Sequence, residues 1–173
     1  MRYTVLTFLL LVVISQSYGQ ALEETLKKMG IELYPPTKSA GNYLKAVRTG
    51  NLLFLAGHVS TRADGTPITG KLGKDLTIEQ GYEAARITGI SLLSTIKNEV
   101  GELGRVKRIV KLTGFVNSTP EFTDHPKVVN GCSDLLVALW GDKGKHARSA
   151  VGMAALPSNY AVEIEMIVEL EDQ

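Results

Sequence analysis

Residues 147–165 read ARSAVGMAALPSNYAVEIE. Two segments rich in small and β-branched residues flank Pro157-Ser158-Asn159, a pattern typical of two strands joined by a turn. We place the strands at 147–156 and 161–170. Because side chains alternate across a strand, the second strand separates an apolar face from a mainly acidic one. The apolar set is Val162, Ile164, Met166 and Val168, and the other set is Glu163, Glu165, Ile167, Glu169 and Glu171.

Two helices and a strand are predicted upstream of this stretch. Thr77-Ile78-Glu79-Gln80 matches a capping box, in which the Thr and Gln side chains satisfy free backbone donors. The helix that it opens extends to about Val100. Residues 106–116 are rich in β-branched side chains and indicate a strand, and 122–140 contains a second helix, most clearly from Lys127 onward. The apolar face of the first helix comprises Ile78, Tyr82, Ala85, Leu92, Leu93 and Ile96.

The first elements after the N-terminal segment are a short helix and a hairpin. The helix covers 21–30, and the hairpin strands cover 43–47 and 52–58 around a Gly-Asn turn. Residues 60–76 indicate an irregular loop. The element order is β-β-(β)-α-β-α-β-β, which predicts an α+β two-layer sandwich with two helices on one face of a mixed sheet. The other sheet face is left bare, so a homo-oligomer is expected.

Length and charge limit the classes of function. The chain has 173 residues, a length sufficient for one domain with its own hydrophobic core. Its formal net charge is +1. A nearly neutral chain disfavours nucleic acid or an anionic membrane as the main partner. Its only cysteine, Cys132, excludes an intrachain disulfide. Asn117-Ser118-Thr119 matches a glycosylation sequon, which would matter only in a eukaryotic host.

The first 19 residues have the features of a secretory signal peptide. Arg2 precedes an apolar run of ten residues, 5–14 (VLTFLLLVVI), and Ser17-Tyr18-Gly19 supplies small residues at the first and third positions. The run is half the length that a membrane span needs. We therefore expect cleavage after Gly19, a single domain over 20–173, and a secreted or periplasmic protein that is not anchored to the membrane.

Several motifs resemble those of the reactive intermediate deaminase family, also called Rid or YjgF-type. The strongest is the stretch from 147 to 165: an Arg-Ser pair, Ala-x-Leu-Pro, and a Val-Glu-Ile-Glu strand. Gly41-Asn42-Tyr43, the strand LFLAG at 53–57 and VKLTGFV at 110–116 are similar to further family segments in the same order. Together they cover most of residues 40–170.

This resemblance implies a chorismate-mutase-like α+β fold, a homotrimer, and clefts between subunits that bind small carboxylate-bearing metabolites. It implies the hydrolysis of reactive enamines and imines, as by 2-iminobutanoate/2-iminopropanoate deaminases, without a metal or organic cofactor. Some members have instead been described as endoribonucleases. Here, balanced charge and the lack of interleaved aromatics disfavour that activity for the basic cluster Arg105, Lys107, Arg108 and Lys111.

Four residues match the site of the family. Arg148 matches the arginine that holds the substrate carboxylate, and a guanidinium suits this role because it offers two parallel donors at any relevant pH. Glu163 matches the glutamate that positions the attacking water. Tyr43 and Asn130 match residues of the substrate pocket. Each has a plainer interpretation: a surface arginine, a solvated acidic strand face, or ordinary packing.

Two further positions depart from the family pattern. Ala56 stands where deaminating members often have Ser, and Ala150 stands where they often have Cys. Their loss removes two polar atoms from the pocket, which favours a non-catalytic module that binds a small carboxylate in the same cleft. The histidines His58, His125 and His146 are too widely spaced for a zinc motif, and Cys132 fits a buried helix position better than a nucleophile.

Overall fold

The computed structural model describes residues 19–172. The predicted signal peptide, 1–19, lies outside this range except for Gly19, so its export role stays a prediction. The described chain begins in helix α1, residues 19–28. Leu22 and Leu26 on its inner face are buried, as their spacing predicts. Gly30 follows the helix at a φ of +67°, a conformation that glycine adopts without steric cost.

Five strands form one mixed sheet. They are β1 (Ala46–Thr49), β2 (Leu52–Val59), β3 (Val106–Asn117), β4 (Ala147–Met153) and β5 (Val162–Leu170). Their order across the sheet is β1-β2-β5-β3-β4. β3 and β4 pair in parallel, whereas the other neighbouring pairs are antiparallel. The C-terminal strand β5 therefore occupies the centre, which explains why its apolar face is fully buried.

Helices α2 (Ile78–Val100) and α3 (His125–Trp140) cover one face of the sheet. The predicted capping box is present: the Thr77 hydroxyl accepts from the Gln80 amide at 3.3 Å, and the Gln80 side chain accepts from the Thr77 amide at 2.9 Å. The predicted two-layer α+β sandwich is therefore confirmed. None of the helices within residues 19–172 combines the length and apolarity needed to cross a membrane.

Several predicted strand boundaries were wrong. β1 spans Ala46–Thr49 rather than 43–47, and Tyr43 and Leu44 are exposed in the bend before it. β4 ends at Met153 instead of at residue 156, and β5 begins at Val162. The optional third strand is not formed within 60–76, where the backbone makes only isolated bridges. The apolar sequence extends beyond each strand, but the neighbouring strand offers no further backbone hydrogen-bond partners there. The strand therefore ends before the apolar sequence does.

The face of the sheet opposite the helices is uncovered and carries apolar side chains beside the carboxylates of Glu163 and Glu165. Val47, Phe54 and Val151 on this face are 53%, 40% and 41% exposed. Phe115 lies between Val151 and Glu163 in the strand register. We call this surface the bare face.

The sequon asparagine is inaccessible in this fold. Asn117 is fully buried at the end of β3. Its side chain accepts from Lys71 Nζ at 3.0 Å and donates to Asn159 Oδ1 at 2.9 Å. An oligosaccharide on Asn117 is therefore incompatible with the folded structure.

Candidate functional site

Arg148 lies on the edge strand β4, on the helix side of the sheet. Its strand partner is Leu112, a core residue, so the two side chains share this side. From there Arg148 reaches α3, where its Nη1 donates to Asn130 Oδ1 at 2.8 Å and to Ser133 Oγ at 3.0 Å. Asn130 and Ser133 are three residues apart on the helix and thus adjacent on its surface. The structure therefore brings two of the predicted site residues, Arg148 and Asn130, together.

Ser133 and His146 extend this contact into a hydrogen-bonded chain that sequence reasoning missed. His146 Nδ1 lies 2.7 Å from the Gly144 carbonyl, which can only accept, so Nδ1 carries the proton. Burial lowers the pKa of His146. The hydrogen bond to the Gly144 carbonyl raises this pKa, and the charge of nearby Arg148 lowers it. In the neutral ring, Nε2 accepts from Ser133 Oγ at 3.1 Å. The Ser133 oxygen thus has its lone pairs available for Arg148.

The guanidinium of Arg148 keeps donors for a ligand. Both of its hydrogen bonds use Nη1, and within residues 19–172 its Nη2 and Nε make no hydrogen bond. No described carboxylate lies within ion-pair distance of it. A half-buried cation held only by neutral groups favours an external anion, and its planar fork matches a carboxylate.

Glu163 lies on β5, on the bare face. It covers Gly57 so closely that a Cβ at this glycine would be 1.9 Å from Glu163 Oε1. Gly57 and Ala56 form a β-bulge, where the pairing of β2 with β5 shifts by one residue. Burial raises the pKa of Glu163, Glu165 raises it further, and Lys45 opposes both. A carboxylate of raised pKa is suited to accept a proton from water.

His58 supports this bulge from the core side. It is 2% exposed, and its Nδ1 donates to the Ala56 carbonyl at 2.7 Å, while Thr95 Oγ1 lies 2.8 Å from Nε2. Burial lowers the pKa of His58 from 6.5 to about 4; the Ala56 carbonyl opposes this, and Lys45 adds to it. The ring is therefore neutral at physiological pH.

We expect His58 to make stability depend on pH. Its pKa in the unfolded chain is near 6.5 and in the folded chain about 4, so the unfolded state binds more protons between these values. The free energy of unfolding should be highest above pH 6.5 and fall as the pH falls toward 4. Urea denaturation from pH 4 to 7 measures this slope, which should be shallower in His58→Gln. An unchanged slope would show that His58 is not its source.

Arg148 and Glu163 lie on opposite faces of the sheet. On β3, their register partners are Leu112 for Arg148 and Phe115 for Glu163, three residues apart. β3 also separates β4 from β5. Strand geometry then puts their Cα atoms about 14 Å apart, with the side chains pointing in opposite directions. Within one copy of the chain these two residues do not form one site.

The remaining candidate residues are Tyr43, which lies near the bulge beside Glu163, and Cys132, which lies near Arg148. Tyr43 is 47% exposed and precedes Lys45, whose carbonyl accepts from Ala56 at the bulge near Glu163. Cys132 is buried, and burial raises its pKa to about 12, although Arg148 counteracts this. A thiol of this pKa is not a nucleophile at neutral pH. Across residues 19–172, no three His, Cys, Asp or Glu side chains are placed to hold a metal ion.

Similar proteins extend over nearly the whole described chain. Protein TCP17 of Trypanosoma cruzi is 42% identical over 148 residues, which are 85% of this chain and 92% of that protein. The crystal structure of Atu1372 from Agrobacterium tumefaciens, a protein of unknown function, has 36% identity and a TM-score of 0.85, and the match covers 92% of this chain and 99% of that one. Mitochondrial Mmf1 of Saccharomyces cerevisiae is 26% identical over 144 residues, 83% of each chain.

The family model described as "YjgF/chorismate_mutase-like, putative endoribonuclease" matches residues 23–170. The match includes the β2 bulge, Asn130, Arg148 and Glu163. The TM-score of 0.85 with Atu1372 shows that the two chains share one fold over 92% of this chain. The chain therefore belongs to the YjgF/chorismate mutase-like family.

Proposed function

We propose that this protein hydrolyses small reactive enamine or imine acids to keto acids and ammonia, at a site that Arg148 of one copy and Glu163 of a second copy form together. The observation that carries the proposal is the guanidinium of Arg148, which is fixed by neutral groups and has donors left for a carboxylate. The opposite placement of Glu163 on the sheet accounts for the need for two copies.

The chemistry needs only these side chains and water. Arg148 holds the carboxylate of the substrate, which orients the neighbouring imine carbon. An enamine substrate first tautomerises to the imine. The Glu163 carboxylate accepts a proton from a water molecule as the water oxygen bonds to the imine carbon, and the C=N π pair moves to nitrogen, which takes that proton to give a carbinolamine. The hydroxyl proton then passes through Glu163 to the nitrogen, the C–N bond breaks as the C=O bond forms, and ammonia leaves. The environment that raises the pKa of Glu163 suits a base that must also return the proton.

A homotrimer is the assembly that we propose for this site. The bare face exposes Val47, Phe54 and Val151, apolar area that a second copy would remove from water. The free edge of β4, which carries Arg148, can then approach the bulge of a neighbouring copy. Light scattering should give about three times the mass of one chain. A stable monomer at micromolar concentration would contradict both the trimer and the shared site.

Ammonia release tests the proposed activity. An amino-acid dehydratase generates 2-iminobutanoate or 2-iminopropanoate in the cuvette, and the protein should speed the appearance of ammonia and keto acid above the spontaneous rate. Glu163→Gln should lower the turnover number more than it weakens binding, since the carboxylate acts on the water. Wild-type protein that leaves the spontaneous rate unchanged would refute the hydrolase.

The second candidate is a binding module that holds a small carboxylate without turning it over. Ala56 and Ala150 favour it, because each puts a methyl group where deaminating relatives often have a polar atom. In that case wild-type protein binds 2-oxobutanoate through Arg148 and releases no ammonia. An endoribonuclease is less favoured, since a nearly neutral chain lacks the cationic surface that binds RNA.

We also propose that the protein is exported. The support is the N-terminal pattern of Arg2, the apolar run at 5–14 and Ser17-Tyr18-Gly19. N-terminal sequencing of protein from its native cells should begin near Gln20, and an intact Met1 on soluble cytoplasmic protein would refute export.

A further inference from the structure

A second cleft opens at the other end of the groove between α3 and β4. It has a volume of about 450 Å³, within the range of small-molecule sites. Gly152, in its wall, follows Arg148 by four residues on β4, which places the cleft about 13 Å from the site described above. The side chains that matter for a ligand are those of Lys71, Ser118, Pro120, Phe122, His125 and Met153.

Lys71 gives this cleft a positive charge. Its Nζ donates to Asn117 Oδ1 at 3.0 Å and to the Ala154 carbonyl, and both acceptors are neutral. No carboxylate is among the lining residues, and no described acid forms an ion pair with Lys71. The ammonium has three donors, so one remains for an anion. Its two contacts hold it in place before any ligand arrives.

A serine–histidine pair forms part of the wall. Ser118 Oγ and His125 Nε2 are 3.1 Å apart, and Ser118 is 5% exposed. The pair packs so closely on β4 that a Cβ at Gly152 would be 2.3 Å from His125 Nε2 and 2.8 Å from Ser118 Oγ. Only a glycine at position 152 leaves room for the Ser118–His125 pair. The fold therefore positions this polar pair at the cleft before any ligand binds.

Part of the lining is apolar. Phe122 meets the His125 ring edge-on, with centroids 5.4 Å apart and planes at 75°. Pro120 and Met153 also line the cleft, and Met153 is 36% exposed. One cation, hydroxyl groups and an aromatic wall in one cleft match a ligand with one negative charge and an apolar body.

We propose that this cleft is a second ligand site, which binds a small monocarboxylate with an apolar or aromatic side group. The carboxylate contacts Lys71 and the Ser118–His125 pair, and the side group packs on Phe122 and Met153. One lysine balances one carboxylate charge, whereas a phosphate dianion would keep an excess charge in the cleft. The site does not use Arg148.

Sodium phenylacetate is the probe for a direct test. In protein labelled with ¹³C at the methionine methyl groups, phenylacetate should shift the Met153 signal saturably and leave the core residue Met166 unchanged. Benzyl alcohol keeps the ring and lacks the charge, so it should bind at least about tenfold more weakly. This comparison uses wild-type protein alone and does not depend on any variant folding. Equal binding of the two compounds, or no saturable shift, would overturn the proposal.

Three variants locate the site. Lys71→Met should weaken phenylacetate binding about tenfold or more, because it removes the charge-assisted contact. Lys74→Met, an exposed lysine in the same loop, should leave binding unchanged. Arg148→Ala should also leave it unchanged, so this site and the proposed hydrolase can fail separately. Loss of binding in Arg148→Ala would overturn the second site, and inorganic phosphate binding as tightly as phenylacetate would overturn its assignment to carboxylates.

Discussion

Arg148→Ala is expected to remove carboxylate binding almost completely while the protein stays folded. The variant deletes a charge-assisted bidentate contact worth on the order of 2–4 kcal/mol, which is roughly 30- to 1,000-fold in affinity. The fold should survive because the side chain is only partly buried and contacts the surface of α3. Calorimetric titration with 2-oxobutanoate measures the affinity, and ammonia release measures the turnover.

Two further variants serve as controls for Arg148→Ala. Arg148→Lys should restore binding only in part, because an ammonium cannot reach Asn130, Ser133 and both carboxylate oxygens with the geometry of the planar fork. Arg86→Ala removes a partly exposed arginine that pairs with Glu83 at 3.5 Å on the surface of α2, and it should leave carboxylate binding unchanged and stability within about 1 kcal/mol. Unfolding of Arg148→Ala would mean that the residue is structural. Unchanged binding in a folded Arg148→Ala protein would remove Arg148 from the site.

Gly131→Ala is expected to cause the largest loss of stability of any conservative change in α3. A Cβ at this position would be 1.9 Å from the Tyr82 carbonyl oxygen and 3.1 Å from the Arg86 amide nitrogen, both main-chain atoms of α2. Main chain cannot rotate away as a side chain can, so the two helices must separate. We expect a loss of about 3 kcal/mol or more in the free energy of unfolding, measured by urea denaturation.

Gly41→Ala is the control for this substitution. At this position the added Cβ meets only the ring of Tyr43, at 3.5 Å, an ordinary contact distance. Its effect should stay within about 0.5 kcal/mol. The fraction of Gly131→Ala that still folds should bind carboxylates more weakly, since Asn130 and Ser133 move with α3. Equal stability of the two variants would show that the helix crossing tolerates a side chain.

The sequence predicted the fold well where local signals and burial agree. The capping box at Thr77 set the start of α2, and alternation in β5 separated buried Val168 from half-buried Glu169 as expected. Predictions failed at the strand ends, for example at Tyr43, because the end of a strand depends on where its partner ends. No local pattern carries that information, since the partner strands are distant in the sequence.

The sequence predicted only part of the candidate site. Motif resemblance selected Arg148 and Asn130, and the structure places them in contact at 2.8 Å. It did not select Ser133 or His146, because a hydrogen-bonded chain between a helix and a loop follows from tertiary packing. Ser133 follows Asn130 by three residues, so on a helix the two side chains share one face. This spacing could have identified Ser133 as a second partner of Arg148 once Asn130 was assigned to the site. The separation of Arg148 and Glu163 on two faces also required the strand register.

We propose above that Arg148 and Glu163 act on one substrate from different copies of the chain. Mixing two inactive variants, Arg148→Ala and Glu163→Gln, tests it most directly. If the site lies between copies, some mixed assemblies pair an intact Arg148 with an intact Glu163. Random equimolar mixing in a threefold ring makes about a quarter of the sites intact.

The measurement is ammonia release after the two variants are unfolded together, refolded and compared with each variant treated alone. We expect activity near a quarter of the wild-type value in the mixture and almost none in either variant. A mixture that forms mixed assemblies, as shown by mass spectrometry of differently labelled chains, yet has no more activity than its parent variants would contradict a site shared between copies.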